Sequence, residues 1–245
     1  TVHIGNTSAA LLGRGVPVRQ VLGGFVIRQD GTVHIGNTSA ALLGRGGIRL
    51  SGKIDTEKDI LDLNIGINSV GAEDVLQTAF KGRLDGSIGI GGTTASPKIS
   101  WQLGIGTART DGSLAIASDP ANGQRKLVLD TVNIAAGQGS LTAQGYLELF
   151  KDRLLKLDIR SRAFDPSRID PQLPAGNING SINLAGELAK EKFTGKMRFL
   201  PGTFNGVPIA GSADIVYESR HLPRAAVDLR LGRNLSLIHL SEPTR

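Results

Sequence analysis

The chain lacks cysteine and has one methionine, one tryptophan and only 4% aromatic residues among its 245 positions. The lack of cysteine excludes disulfide bonds and thiolate chemistry but leaves the cellular compartment open. The scarcity of large side chains argues against a thick, closed globular core. The 33 glycines instead accompany leucine, isoleucine, valine and alanine, a mixture typical of many short strands and tight turns. We therefore expect an elongated β architecture with a thin interior.

Long apolar runs are also missing. No stretch approaches the roughly 20 residues that a membrane-spanning helix requires, and no charged-then-apolar leader opens the sequence. If the protein works outside the cytoplasm, we expect its export signal to lie on a part of the gene product that this sequence lacks.

The charge balance is basic, with a net charge of +6, but the basic residues are scattered. They form no run, and aromatic residues are not interleaved with them as a nucleic-acid stacking platform requires. We therefore expect no nucleic-acid partner. A solvated basic surface is the favoured interpretation, and contact with anionic lipid headgroups is the alternative.

Patterns for metal binding and nucleophilic catalysis are missing as well. No His-x-x-x-His or His-Glu pair suits zinc, and no Gly-x-Ser-x-Gly elbow positions a serine nucleophile. We predict no metal and no cofactor. The four histidines are His3, His34, His221 and His239.

Acidic pairs and one glycine-rich segment carry no catalytic prediction either. Glu73 with Asp74, and Asp165 with Asp170, lie in predicted loops with no apolar pocket evident to raise a pKa. GSIGIGG (Gly86–Gly92) resembles a phosphate loop but lacks the Gly-x-Gly-x-x-Gly order and a following helix. We therefore predict no catalytic residue, and that the protein is not an enzyme.

A strand pair recurs 94 residues further along the chain. GRLDGSIGIGGTTASPKISWQLGI (Gly82–Ile105) aligns without a gap with GNINGSINLAGELAKEKFTGKMRF (Gly176–Phe199). Only 7 of the 24 positions are identical, yet the apolar alternate positions stay apolar. Because side chains alternate between the two faces of a strand, the repeat preserves an apolar sheet face rather than a set of reactive groups.

We predict that this apolar face is the functional surface. The segments Leu141–Leu149 and Leu155–Ile159 show the same single-parity pattern, with polar residues between that place the other face in water. The predicted lining residues are Leu84, Ile88, Ile90, Ile99, Leu103, Ile105, Leu141, Leu147, Leu149, Leu155, Leu157, Ile159, Ile178, Ile182, Leu184, Phe193, Met197 and Phe199.

Alternation predicts twelve strands in the central part of the chain. Proline- and glycine-containing segments such as Pro201–Val207 are predicted to interrupt them. The segment Gly71–Phe80 is predicted to form one or two helical turns, and its counterpart Phe164–Pro174 an irregular crossover, because its prolines forbid a regular helix. The strands are Ile48–Ile54, Asp59–Ile67, Gly82–Gly91, Lys98–Gly106, Gly112–Ala117, Lys126–Ile134, Ser140–Phe150, Arg153–Arg162, Gly176–Gly186, Lys192–Leu200, Val207–Glu218 and Ala225–Leu231.

The two ends of the chain differ from its centre. TVHIGNTSAALLGRG occurs at Thr1–Gly15 and again, letter for letter, at Thr32–Gly46. A recent duplication or a reading frame assembled from overlapping fragments explains such identity, and we favour the second. SLIHLSEPTR (Ser236–Arg245) breaks the strand rhythm and is interpreted as part of a non-native tail. We therefore divide the chain into a duplicated segment (1–46), a repetitive β-groove (47–234, with units of about 50–140 and 141–234) and the tail (235–245).

Residues from roughly Gly47 to Asn234 resemble the TamB family, the translocation and assembly module subunits. The order and spacing of several strand–glycine–strand motifs carry the likeness. The motifs are GRLDGSIGIGGTTASPKISWQLGIGTARTDGSLAI, GSLTAQGYLEL, LLKLDIRSRAFDPSRIDPQLPAGNINGSINLAGEL and VPIAGSADIVYESRHLPRAAVDLRLGRN.

The resemblance implies a fold, a location and partners. Members are very long Gram-negative envelope proteins that are anchored in the inner membrane by an N-terminal helix and reach across the periplasm. The implied fold is an elongated, curled β-sheet, groove- or solenoid-like, with an apolar concave face. The family is grouped with AsmA-like bridge proteins that are implicated in phospholipid transfer, and its members partner an outer-membrane barrel of the TamA kind. This chain is expected to be an internal or C-terminal fragment without the anchor helix or the partner-binding region.

The expected function is therefore that of a segment of a periplasm-spanning bridge. Phospholipid acyl chains would lie against the apolar face, where each CH₂ removed from water gains about 0.8 kcal/mol. The first alternative is a scaffold that works with the barrel partner in assembly or secretion of outer-membrane proteins. The second is a closed, non-catalytic β domain, a sandwich or solenoid with a dry core.

Overall fold

The fold is known from a computed structural model that describes residues 2–11, 16–42, 46–72, 82–118, 123–150, 153–219, 224–232 and 234–240. Side chains are placed in residues 21–41 and in the described ranges between residues 46 and 232. Of the predicted helical segment 71–80, residues 73–80 lie outside the described residues. Among the described residues, no helix has the length and apolarity needed to cross a membrane.

The described residues form sixteen strands whose order in the sheet follows the chain, from β1 to β16. The prediction of an all-β fold built from one open, repetitive sheet is confirmed, and each of the twelve predicted strands is present. The strands are β1 (Val2–Leu11), β2 (Val16–Ile27), β3 (Thr32–Leu42), β4 (Gly47–Asp55), β5 (Ile60–Gly71), β6 (Arg83–Gly92), β7 (Pro97–Ile105), β8 (Ala108–Ser118), β9 (Arg125–Ala136), β10 (Gly139–Glu148), β11 (Leu154–Phe164), β12 (Gly176–Glu187), β13 (Lys192–Phe204), β14 (Val207–Glu218), β15 (Arg224–Leu231) and β16 (Asn234–Leu240).

The chain divides into two compact units, Thr1–Ser113 and Leu114–Arg245. In the first unit, the buried cluster is small and consists of Val70, Ala72 and Leu84. The partly buried side chains that pack against it come from five strands. They are Val21, Ala40, Ile48, Ile67 and Ile105.

The second unit also has few buried apolar side chains. Its described side chains that are both apolar and buried are Ala136, Phe164 and Ala213, so two of the three are alanines. The connection that follows Phe164 contains a 3₁₀ turn at Pro166–Arg168. The prediction that residues 164–174 form no regular helix is confirmed, but the segment is a loop between the antiparallel neighbours β11 and β12 rather than the predicted crossover.

Five strand pairs share one irregularity, a β-bulge in which two residues of an odd-numbered strand lie opposite one residue of the next strand. The pairs are β3–β4, β5–β6, β9–β10, β11–β12 and β13–β14. The even-numbered strand carries a glycine beside each bulge, where a Cβ would overlap a carbonyl oxygen of the following strand. Because bulges bend a strand and increase its twist, these positions combine local bending with close strand approach. The glycines are Gly52, Gly86, Gly145, Gly180 and Gly211.

Two predictions about strand ends need correction. The segment 201–207 does interrupt the strands, but only at residues 205–206, because β13 continues through Pro201 to Phe204 and β14 begins at Val207. Pro201 lies in the bulge of β13, where the missing N–H of proline costs no ladder hydrogen bond. The segment 236–245 was expected to break the strand rhythm, but Asn234–Leu240 forms β16 and pairs with β15. The interpretation of residues 235–245 as a non-native tail stays a prediction.

Candidate functional site

An apolar face extends across the strands of the second unit. Residues directly opposite each other in an antiparallel pair project from the same face, so the register defines rows of neighbours. One row runs across β10 to β14 through Leu147, Leu155, Gly186, Phe193 and Tyr217. The Phe193 and Tyr217 rings lie with their centroids 6.2 Å apart, within the range of a favourable aromatic pair.

Two further rows lie beside it on the same face. Both consist of apolar residues and glycine. The first contains Leu129, Gly145, Leu157, Leu184, Gly195, Ile215 and Ala225, and the second contains Ala143, Ile159, Ile182, Met197, Ala213 and Val227.

Most side chains of this face have intermediate exposure, except for Ala213, which is buried, and Tyr217, which is exposed. In β13 the apolar residues Phe193, Met197 and Phe199 have intermediate exposure, whereas Lys196 and Arg198 between them are exposed. An apolar sheet face normally packs against a second layer of secondary structure. Among the described residues of the second unit, no such layer covers these side chains, since the unit consists of strands β9 to β16, the end of β8 and two short 3₁₀ turns.

The first unit carries an equivalent face. Its strands β4 to β7 form three rows of neighbouring side chains, and charged residues occur only at the alternate positions. The rows are Gly52, Leu63, Ile90 and Ile99; Leu50, Ile65, Ile88 and Trp101; and Ile48, Ile67, Gly86 and Leu103.

The predicted lining residues occupy these faces with two qualifications. Leu84 is on the predicted side of β6 but is only 5% exposed, because it packs in the buried cluster with Val70 and Ala72. Leu149 lies beyond the end of β10 and is 38% exposed. The other sixteen lie in strands, with intermediate exposure. Their role as lining stays a prediction.

Several residues of these faces were missed at the sequence level. They belong to predicted strands, and the two-residue period would have found all of them except Ile134, which the bulge of β9 shifts out of phase with Leu127 and Leu129. They are Ile48, Leu50, Leu63, Ile65, Ile67, Trp101, Leu127, Leu129, Ile134, Ile209, Ile215, Val227 and Leu229.

The acidic residues considered as a catalytic pair hold backbone turns instead. Asp165 Oδ1 accepts hydrogen bonds from Ser167 Oγ at 2.7 Å and from Gly176 N at 3.0 Å. The hydrogen bond from the Ser167 side chain is the main cause that keeps the pKa of Asp165 below its ordinary value of 3.8. Asp170 accepts from Gln172 N at 2.9 Å. Glu73 and Asp74 lie outside the described residues.

Metal ligands are not clustered in the described part of the chain. No group of three or more histidine, cysteine, aspartate or glutamate side chains there is placed to hold a metal ion. His34 is the single histidine whose side chain the structure describes. The apolar surface is therefore the candidate functional site.

Comparison with known proteins assigns the chain to a family. No curated protein and no solved structure matches the sequence. Residues 36–211 match the family model described as the TamB C-terminal domain. The matched region contains β4 to β13 and the repeated apolar face. Since it covers more than two thirds of the 245 residues, the chain belongs to the TamB family.

Proposed function

We propose that this chain is part of a bridge between the inner and outer membranes along which phospholipid moves with its acyl chains against the apolar sheet face. The TamB family is associated with the envelope of Gram-negative bacteria, and it is not known as enzymatic. The periplasm is the proposed location of this chain, and a non-catalytic role is proposed for it.

The half-exposed apolar face is the observation that carries the proposal. In β13 the residues Phe193, Met197 and Phe199 are neither buried by protein nor replaced by polar residues. Acyl chains can supply the layer that the described strands do not, since each CH₂ removed from water contributes about 0.8 kcal/mol.

The composition of the face suits movement better than tight binding at one point. The rows described in both units consist of apolar and glycine residues and contain no charged side chain. Neighbouring strands are about 4.8 Å apart, so an acyl chain that shifts by one strand meets a similar wall. Contact energy is therefore distributed over many positions, and no single position holds the lipid.

Photo-crosslinking on the two faces tests the proposal. A photo-reactive amino acid is placed at Leu103 or Leu157 on the apolar face, and at the adjacent Gln102 or Lys156 as matched controls on the polar face. The full chain is irradiated in the periplasm of a Gram-negative host, and adducts are identified by mass spectrometry. We expect phospholipid adducts at Leu103 and Leu157 and few at the control positions.

Two results would contradict this function. Equal lipid capture on both faces would indicate nonspecific contact with membrane fragments. Capture of polypeptide but not lipid at the apolar positions would favour the alternative, in which the face guides outer-membrane proteins during assembly.

A further inference from the structure

The polar face of the second unit carries three arginines on neighbouring strands. Thr142, Arg160, Ser181 and Arg198 follow each other directly across β10, β11, β12 and β13. Arg162 lies two residues beyond Arg160 on the same strand, opposite Ser140. All three arginine side chains are exposed. The register therefore gathers residues that are far apart in the sequence.

The spacing of these arginines allows them to contact one small group. Arg160 and Arg198 are separated by one intervening strand, and so by about 10 Å between their backbones. Arg160 and Arg162 are about 7 Å apart along β11. Their long side chains can converge above the hydroxyl of Ser181, which lies directly between Arg160 and Arg198 in the row.

No carboxylate neutralises this cluster among the residues that the structure describes. None of the three arginine side chains takes part in an ion pair or hydrogen bond there. The nearest acidic residue on β11, Asp158, instead accepts a hydrogen bond of 2.5 Å from Asn183 Nδ2. The positive charge of the cluster is therefore available to a ligand.

The arginines border a depression of about 870 Å³ on the polar face. Its lining adds neutral donors to the guanidinium groups, namely the hydroxyls of Ser140, Thr142 and Ser181. The amide of Asn179 also borders the depression, but it already donates to Asn177 and Pro201. This set is rich in hydrogen-bond donors and contains no acidic side chain.

The 94-residue repeat shows that the fold does not need these arginines. The positions equivalent to Arg160, Arg162 and Arg198 in the first copy are Gly66, Asn68 and Gly104, whereas the serine between them is kept as Ser87. The first copy forms the same strands and the same bulge without any of the three charges. The arginines therefore occur in only one copy of the repeat.

We propose that Arg160, Arg162 and Arg198 form a binding site for a phosphate ester group, with the Ser181 hydroxyl as a further donor. The guanidinium fork matches the geometry of phosphate oxygens and can donate two parallel hydrogen bonds. The site lies on the face opposite the apolar rows, so its ligand is not the lipid whose acyl chains occupy those rows. A soluble phosphate ester and the phosphate of a lipid headgroup share this chemistry.

Titration of the full chain with two probes tests the site and identifies the source of the phosphate. The first probe is sn-glycerol 3-phosphate, followed by NMR shifts of the backbone amides of β11 to β13. The second is a flotation assay with vesicles of phosphatidylglycerol, with phosphatidylcholine vesicles for comparison. The variants are the double substitution Arg160→Gln/Arg198→Gln and the single substitution Arg160→Lys. The control Lys156→Gln removes one positive charge from the same face of β11, outside the depression.

We expect saturable binding that the double variant weakens about tenfold or more, because two charge-assisted contacts are lost. Arg160→Lys should lose part of the affinity although the charge is kept, because lysine cannot form the bidentate contact. Lys156→Gln should change the affinity less than about twofold. Circular dichroism spectra of all variants should match the parent spectrum.

The results distinguish a site for soluble phosphate esters, a site for a lipid headgroup and diffuse surface charge. Binding of glycerol phosphate that is lost in the double variant assigns the site to soluble phosphate esters. Binding to phosphatidylglycerol vesicles alone, lost in the same variant, assigns it to a lipid headgroup. If neither probe binds, or if Lys156→Gln weakens binding as much as the double variant, the proposed site is wrong and only diffuse surface charge remains. Crosslinking of lipid at Leu157 reports separately on the apolar face.

Discussion

A side-chain oxygen of Asp85 accepts a hydrogen bond of 2.7 Å from the backbone N–H of Ser69. Ser69 lies in the bulge of β5 with a φ of 50°, where the ladder provides no partner for its N–H. In the second copy of the 94-residue repeat, Asn179 makes the same contact at 2.7 Å with Ala163, whose φ is 47°. An acid and an amide thus satisfy the same backbone group in the two copies.

This relationship predicts the effect of shortening Asp85. Asp85→Ala leaves the Ser69 N–H without its acceptor, so we expect the free energy of unfolding to fall by about 1–2 kcal/mol. Amide exchange at Ser69 should accelerate more than exchange at distant amides. Urea unfolding and hydrogen exchange by NMR measure the two effects.

The matched control is Asp85→Asn, since the amide of Asn179 makes the equivalent contact. This variant should unfold within about 0.5 kcal/mol of the parent chain. If Asp85→Asn destabilises the chain as much as Asp85→Ala, the negative charge rather than the acceptor geometry would be responsible.

The glycines beside the bulges should resist substitution. Gly86 has a φ of +140°, and an added Cβ would overlap the carbonyl oxygen of Gln102. We expect Gly86→Ala to destabilise the chain by more than about 2 kcal/mol. Gly66→Ala is the control, because the nearest atom to its Cβ is 3.8 Å away. That change should be neutral or stabilising in urea unfolding. Equal losses in both variants would show that close strand approach is not the cause.

Acid should destabilise the loop between β11 and β12, in which Asp165 accepts hydrogen bonds. Hydrogen bonds from Ser167 and Gly176 and the nearby Arg168 keep the pKa of Asp165 below 3.8. A lowered folded-state pKa contributes stability that is complete above the unfolded value and is lost as pH falls through the folded value. The stability difference between the parent chain and Asp165→Asn should therefore be constant from about pH 7 to pH 5 and shrink below about pH 4. Urea midpoints at each pH measure it, and a difference that grows on acidification would contradict the assignment.

Substitutions at two apolar residues, one in the buried cluster and one on the apolar face, should affect stability and lipid contact differently. Val70 is 1% exposed in the buried cluster, so Val70→Ala should cost about 1–3 kcal/mol. Met197 is half-buried on the apolar face, so Met197→Gln should cost less than about 1 kcal/mol and yet reduce lipid capture at Leu157, which lies on the same face. Urea unfolding and crosslinking yield measure the two effects. Full lipid capture in Met197→Gln would remove this part of the face from the proposed path.

The strands were predictable because their alternation is strong. Segments such as Leu155–Ile159 place each apolar residue at every second position, and one face in water requires that period. The same period predicted sixteen half-buried residues of the apolar faces. It predicted Leu84 as well, but only the packing of Val70 and Ala72 shows that this residue is buried.

The bulges and the arginine cluster were not predictable from one strand at a time. A bulge is defined by the partner strand, which is why the sequence suggested a break at Pro201 instead of a continuing strand. Arg160 and Arg198 are 38 positions apart, and the basic residues therefore looked scattered. Only the pairing of β11, β12 and β13 places both beside Ser181.

The strand order has a consequence for how such a chain can change length. Since strands that are neighbours in the sheet are neighbours in sequence, one hairpin can be added or removed without rerouting any connection. The 94-residue shift carries β6 onto β12. This shift spans six strands, an even number, so the alternation of bulged and glycine-bearing strands is preserved. Gene duplication can thus widen the sheet by two strands at a time, in steps of about 10 Å. Each apolar side chain then stays on the same face of the sheet.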